Sequence, residues 1–229
     1  MKQKKVLFRE LCYVLGLLTL PLGAAMMERA DFGLSMVIAP AYLLHLKISQ
    51  FFPAYTFGMS EYVLQAVLLA VLCVVLRKFK ITFLLSFVTA VLYGFMLDLY
   101  MFLVGLLPFF GLPSQLVFYV VGLLLTALGV AFFFESYFPP EVYELFVKEL
   151  TVKTGAKIQK VKTIYDCCSC LLSIGLSFAF FGLFHFEGVK LGTIVCALVN
   201  GWMIGRCSHL IGTMFELRDG LPWREKLNR

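Results

Sequence analysis

The stretch from Ile81 to Phe134 carries a single charge, at Asp98. It is too long for one membrane-spanning helix, which needs about 20 apolar residues, and Pro108 and Gly111 interrupt it near its middle. It therefore predicts two adjacent spans joined by a tight turn. The composition agrees with lipid as the solvent, because 61% of the 229 residues are apolar and only 15% are charged.

Four further apolar runs complete six predicted spans. They are Leu11 to Met27, Tyr62 to Leu76, Cys167 to Phe184, and Leu191 to about Phe215. The first run could pass for a signal peptide, but four or more spans follow it, so we interpret it as an uncleaved helix. Six spans use nearly the whole chain and leave no room for a soluble catalytic domain. We expect one all-α multi-pass membrane domain.

Two shorter segments differ from these spans. Leu34 to Leu46 is apolar but contains Pro40 and is too short to cross, which favours a re-entrant or interfacial segment. Glu141 to Leu150 has the pattern of a short amphipathic helix, with Val142, Leu145, Phe146 and Leu150 inward. Because lysines follow it up to Lys162, we expect this helix to lie at the cytoplasmic interface.

Basic residues predict the orientation. A six-span arrangement with a cytoplasmic N-terminus places 16 of the 20 basic residues on the cytoplasmic side, so we expect both termini there. These are Lys2, Lys4, Lys5, Arg9, Arg77, Lys78, Lys80, Lys148, Lys153, Lys157, Lys160, Lys162, Arg218, Arg224, Lys226 and Arg229.

The two halves of the chain repeat one order of features. Two glycines seven residues apart precede an acid in each half, and a proline-broken segment follows: Gly16, Gly23 and Glu28 in the first half, Gly122, Gly129 and Glu135 in the second. A three-span unit must be inverted when it is repeated, so the broken segments should lie on opposite faces. We expect two inverted repeats, 9–107 and 115–212, followed by a cytoplasmic tail, 213–229.

Several short motifs resemble those of a known family. Gly16 and Gly23 precede Ala30-Asp31-Phe32-Gly33-Leu34-Ser35, Gly94 lies four residues before Asp98, and Gly188-Val189-Lys190-Leu191-Gly192-Thr193 precedes Asn200-Gly201. In these features, over roughly residues 9 to 212, the chain resembles the YczE/YyaS/YitT family of bacterial integral membrane proteins. The resemblance implies a bacterial inner membrane and a transporter-like or orphan protein. It supplies no substrate.

Polar residues within the spans are the candidates for a solute or ion site. Asp98 is predicted to face the interior and form a midplane site with Asn200 and Arg206, because a lipid-facing carboxylate at that depth is costly. The alternatives are a structural ion pair of Asp98 with Arg206 or Lys190, or a position at the membrane interface. Glu28 and Glu135 are either site residues or boundary residues.

Glu61 and Asp166 stand at the predicted starts of their spans, where an acid favours the helix N-terminus, so we expect both to act as caps. Cys167, Cys168 and Cys170 are interpreted as small packing residues rather than a metal or redox site. No metal and no cofactor is expected. The sequence has no Walker loop, no Gly-x-Ser-x-Gly and no His-Glu-x-x-His motif, so we expect no enzymatic activity, and energy must come from a gradient or a partner.

These observations favour an inner-membrane secondary transporter or channel for an unidentified small solute. Two alternatives stay open: a substrate-binding membrane subunit of a partner-driven uptake system, and a structural or regulatory membrane protein with no transported ligand. The expected partners are the lipid bilayer, a small solute, and either further copies or a partner subunit. Nucleic acid is not expected.

Overall fold

Eight helices make up most of the chain in the computed structural model, which describes residues 5–108, 111–182 and 190–221. They are α1 (Arg9–Ala30), α2 (Ala39–Ile48), α3 (Phe57–Leu76), α4 (Ile81–Gly105), α5 (Leu112–Glu135), α6 (Val142–Thr154), α7 (Ile158–Phe181) and α8 (Leu191–Met214). Six of them are long and apolar enough to cross a membrane, whereas α2 and α6 are short. The all-α membrane architecture with six spans is therefore confirmed.

The order of helix lengths is the same in the two halves of the chain. A long helix, a short helix and two long helices follow one another from α1 to α4, and the same order returns from α5 to α8. Superposition of the halves by a two-fold axis in the membrane plane stays a prediction.

Helices α1 and α5 are in close contact along their length through glycines. A Cβ atom added at Gly16 would lie 3.1 Å from the backbone oxygen of Gly129, and one at Gly23 would lie 2.6 Å from the amide nitrogen of Thr126. Small residues permit such a backbone approach between membrane helices. Residues later in α1 contact residues earlier in α5, so the two helices are antiparallel. Their C-termini therefore lie at opposite ends of the bundle.

The segment after α1 re-enters the bundle. The carbonyl oxygen of Phe32 accepts a hydrogen bond from the amide of Gly192 at the start of α8, at 2.9 Å. Residues 34–41 are then buried without interruption. Helix α2 returns toward the same end, where Lys47 donates to the carbonyl of Phe180 near the end of α7, at 3.3 Å. Of the two predicted alternatives, the structure shows the re-entrant one.

The segment after α5 re-enters from the other end. Its Pro139 and Pro140 carbonyls accept hydrogen bonds from Thr89 at 3.0 Å and Ser86 at 2.5 Å, both in the first half of α4. Residues 139–145 are all buried. The expectation of an interfacial helix is therefore wrong for the start of α6, although Val142 and Leu145 do point inward as predicted.

The two described ends of the chain lie side by side. Strands β1 (Lys5–Phe8) and β2 (Phe215–Arg218) pair in parallel, and Arg9 forms a salt bridge with Asp219 at 3.1 Å. Both ends are consequently on one side of the bundle, as an even number of spans requires. That this side is cytoplasmic stays a prediction, and Lys2, Lys4, Arg224, Lys226 and Arg229 lie outside the described residues.

Substitution of Gly23 by alanine tests the α1–α5 contact. We expect Gly23→Ala to destabilise the protein by about 1–3 kcal/mol, because its Cβ would overlap the backbone of α5. The measurement is the thermal unfolding midpoint in detergent. Gly175→Ala is the matched control, since a Cβ at this position meets nothing within 4 Å. Equal midpoints for the two variants would contradict the contact.

Candidate functional site

The two re-entrant segments meet around a small cavity at the centre of the bundle, and nearly all of its lining residues are buried. Its volume is about 30 Å³, which is enough for one water molecule. The residues just before α2, which end at its N-cap Ile38, contribute one wall, and the start of α6 contributes another. Its polar lining consists of Ser35, Tyr93, Thr126, Glu141, Tyr143, Glu144, Lys162 and Asn200.

A hydrogen-bonded cluster joins α3 to α6 beside this cavity. Gln65 donates from Nε2 to Oε2 of Glu61 at 3.2 Å and to Oε2 of Glu141 at 3.1 Å. The hydroxyl of Tyr143 donates to the same oxygen of Glu61 at 2.8 Å. Glu61 and Gln65 are completely buried and Glu141 is 1% exposed. The two acids therefore share neutral hydrogen-bond donors in an apolar environment.

A second group of charges joins α6 to α7. The Lys162 ammonium lies 3.6 Å from Oε1 of Glu144 and 3.3 Å from Oδ1 of Asp166. All three residues are buried. A buried cation with two acidic neighbours avoids the cost of an unpaired charge in the membrane interior.

The buried acids outnumber the buried base. Glu144 and Asp166 pair with Lys162, whereas Glu61 and Glu141 do not. Burial raises the pKa of Glu141 well above its ordinary value, and the nearby Glu144 and Glu61 add repulsion. Burial also raises the pKa of Glu144, although Lys162 opposes the shift. Burial therefore favours protonation most at Glu141, whose side chain accepts from the neutral Gln65, whereas Glu144 keeps Lys162 as its cation.

A cleft between α7 and α8 leads to these charges. Its volume is about 460 Å³, and Lys162 and Asp166 line it together with Leu198 and Trp202. Lys162 also lines the central cavity. This lysine therefore stands between the cleft and the central cavity.

Of the predicted site residues, Asn200 lies at the central cavity. It is 5% exposed, and its Oδ1 has no hydrogen-bond partner among the described residues. Arg206 is exposed on α8, where its guanidinium lies 5.3 Å from the ring centre of Trp202. The structure therefore does not bring Arg206 together with Asn200 at the cavity.

Asp98 has a structural partner in the first turn of α3. Its Oδ1 accepts a hydrogen bond from the amide of Gly58 at 2.8 Å, which satisfies one of the free N–H groups of that helix start. It does not line the central cavity or the cleft. The ion pair predicted with Lys190 is not formed, because Lys190 binds Asp31 at 2.5 Å.

Glu28 and Glu135 lie at the ends of α1 and α5. Glu28 accepts a hydrogen bond from the hydroxyl of Tyr42 at 3.2 Å and lines a cavity of about 20 Å³. The Glu135 backbone oxygen accepts from Arg9 at 3.3 Å. Neither side chain lines the central cavity, and a solute role for either stays a prediction.

The expectation that Glu61 and Asp166 cap helices is wrong. Thr56 caps α3 by accepting the Met59 amide at 3.2 Å, and α7 begins at Ile158, two turns before Asp166. The prediction that Lys162 lies at the cytoplasmic membrane surface is wrong as well, because this lysine is buried. The residue spacing could have indicated these contacts. Glu61 lies four residues before Gln65, and Lys162 lies four residues before Asp166, so the members of each pair share a helix face.

The cysteines lie apart from this cluster. Cys167 and Cys168 are exposed on α7 and Cys170 is half-buried, and all seven cysteines are free thiols. Among residues 5–108, 111–182 and 190–221, no three His, Cys, Asp or Glu side chains are grouped in a way that could hold a metal ion.

Removal of the buried lysine tests the electrostatics of the cluster. We expect Lys162→Met to lower the free energy of unfolding by about 3–5 kcal/mol, because Glu144 and Asp166 would lose their cation. Burial raises the pKa of Glu144 in the folded protein above its value in the unfolded chain, so ionisation of this acid destabilises the folded protein as the pH rises. The loss of stability in Lys162→Met should therefore grow above about pH 4.3, the ordinary pKa of a glutamate. Unfolding midpoints across pH measure it. Lys160→Met at an exposed position is the control, and equal losses in both variants would contradict the burial of Lys162.

Comparison with known proteins gives a family without a described activity. Residues 7–209 match the family of unknown function DUF6198. No curated protein and no solved structure matches the chain. The match does not name the YczE/YyaS/YitT family, so that likeness stays a resemblance. Because the matched region covers most of the 229 residues, the chain belongs to the DUF6198 family.

Proposed function

We propose that this protein is a secondary transporter for a small solute, with its site at the buried charges of α6 and α7 and at Asn200. One observation carries the proposal: charged groups of both signs are buried where two re-entrant segments from opposite ends of the bundle meet. Charges at membrane depth are costly and usually serve function.

The short helices support this location. The N-cap residues of α2 and α6, Ile38 and Glu141, both line the central cavity, so the positive ends of two helix dipoles approach it. Broken helices whose N-termini meet near the midplane are the usual substrate site of transporters built from inverted repeats. Glu141 and Glu144 lie at the N-terminus of α6, where the helix dipole favours acidic side chains.

The α7–α8 cleft suggests the class of solute. Its volume of about 460 Å³ lies within the usual range for small-molecule sites. Leu198 and Trp202 offer an apolar wall, whereas Lys162 and Asp166 offer one charge of each sign. A small zwitterion with an apolar body, such as an amino acid, could bind its carboxylate to Lys162 and its ammonium to Asp166.

The central cavity is too small for such a molecule. We therefore interpret this conformation as occluded, with the solute path closed beyond Lys162. Passage requires α7 to move relative to α8 and α6, which would open the cleft into the cavity. We further propose that the protein lies in a bacterial inner membrane, and that the side with both chain ends, Arg77, Lys78 and Lys80 faces the cytoplasm.

Reconstitution of the purified chain tests the proposal. Liposomes that hold the protein should exchange at least one member of a set of radiolabelled amino acids with unlabelled amino acid inside. The double variant Lys162→Met/Asp166→Asn removes one charge of each sign and should lower this exchange at least tenfold. Lys160→Met should leave it unchanged.

The outcomes separate the alternatives. Unchanged exchange in the double variant, in protein that unfolds at the normal temperature, would place the solute elsewhere. If the wild-type protein binds an amino acid but moves it only with a copurified ATPase, the chain is a subunit of a partner-driven system. A protein that neither binds nor moves any member of the set would favour a structural or regulatory role.

A further inference from the structure

The orientation of the Gln65 side chain is fixed by its neighbours. Its Oε1 accepts a hydrogen bond from the amide of Val142 at 3.1 Å, and this donor requires the carboxamide oxygen to face α6. The NH₂ group must then face the acids, and it donates to both Glu61 and Glu141. The two carboxyl groups therefore lie on either side of a single nitrogen atom.

The remaining oxygens of these acids accept no hydrogen bond from the part of the chain that the structure describes. Oε1 of Glu61 and Oε1 of Glu141 are both buried without a partner among the described residues. Two ionised carboxylates held this close in an apolar site would repel strongly, and only neutral groups donate to them. The geometry therefore favours a state in which one of the two is protonated.

The groups that face this pair do not neutralise it. Helix α1 contributes Tyr13 and α4 contributes Tyr93, both of which are neutral at physiological pH. The cation that faces the pair is Lys162, and its nearest acids are Glu144 and Asp166. The other titratable neighbours are Tyr143 and Glu144 on α6, and Tyr165 and Asp166 on α7.

We propose, on the basis of the proposed function, that Glu61 and Glu141 are the proton-binding site of this transporter. The pair holds one proton in the occluded conformation. When α3 and α6 separate and water reaches the pair, the O–H bond of the protonated carboxyl breaks and the proton passes to water, which leaves two hydrated carboxylates. Solute movement is then coupled to a proton gradient.

The contacts favour a proton over a metal cation. The amide of Gln65 donates hydrogen bonds to Glu61 and Glu141, and the hydroxyl of Tyr143 donates to Glu61. These donors point hydrogen atoms at the carboxyl oxygens. A sodium ion would instead need several oxygen atoms to converge on one point. A proton needs only one free carboxyl oxygen, and the pair provides two.

Infrared titration of the purified protein tests the site without any transported solute. We expect the carbonyl stretch of a protonated carboxylic acid to persist at neutral pH and to disappear only when the pH is raised far above the ordinary carboxyl range. The double variant Glu61→Gln/Glu141→Gln should lack this band, because it has no carboxyl group at either position. Glutamine has the same shape as glutamate, so the packing should be retained. Glu149→Gln, which removes an acid paired with Lys80 at the surface, should retain it.

Three results would overturn the proton site: no such band in the wild-type protein, a band that survives in the double variant, or a band that sodium ions abolish at constant pH. Transport gives an independent readout. Glu61→Gln should lower amino-acid accumulation driven by a pH gradient at least tenfold, whereas the surface variant Glu149→Gln should leave it unchanged. If the band is present and no amino acid is exchanged, the transporter proposal fails and the proton site stands. If exchange occurs and the band is absent, the proton site fails and the transporter proposal stands.

Discussion

The antiparallel contact between α1 and α5 determines the arrangement of the rest of the bundle. Glycines on both helices bring backbone against backbone, and the two helices end at opposite ends of the molecule. The chain re-enters the bundle immediately after each of these helices. A looser contact would separate the two re-entrant segments, and the central cavity between them would widen.

Re-entry places polar groups where the membrane offers no water. The segment before α6 and the first turn of α6 carry Glu141 and Glu144 inward, and each must find partners on other helices because an isolated charge at this depth is costly. Gln65 and Lys162 supply those partners from α3 and α7. Among the described residues of this cluster the acids outnumber the base, so Glu61 and Glu141 have no cation of their own and are held by neutral donors.

The candidate site was only partly predictable. Asn200 was identified because a polar residue in an apolar run is conspicuous, and the structure places it at the cavity. Asp98 was equally conspicuous, yet it binds the start of α3, because tertiary packing brings the Gly58 amide to it. The prediction that Glu61 and Asp166 are caps was wrong because the apolar runs do not mark where the helices start. Helix α3 begins after its N-cap Thr56, and α7 begins at Ile158, so both acids lie inside their helices.

Span number and the all-α class were determined by the sequence itself, because the length and apolarity of a run are properties of the chain alone. The repeated order of glycines, acids and prolines also indicated two broken segments. Only the tertiary structure decided that α6 begins inside the bundle and that Lys162 is buried, because both depend on contacts between residues distant in sequence. A surface amphipathic helix and a re-entrant one share the same pattern, and the difference lies in whether other helices supply partners for the polar face.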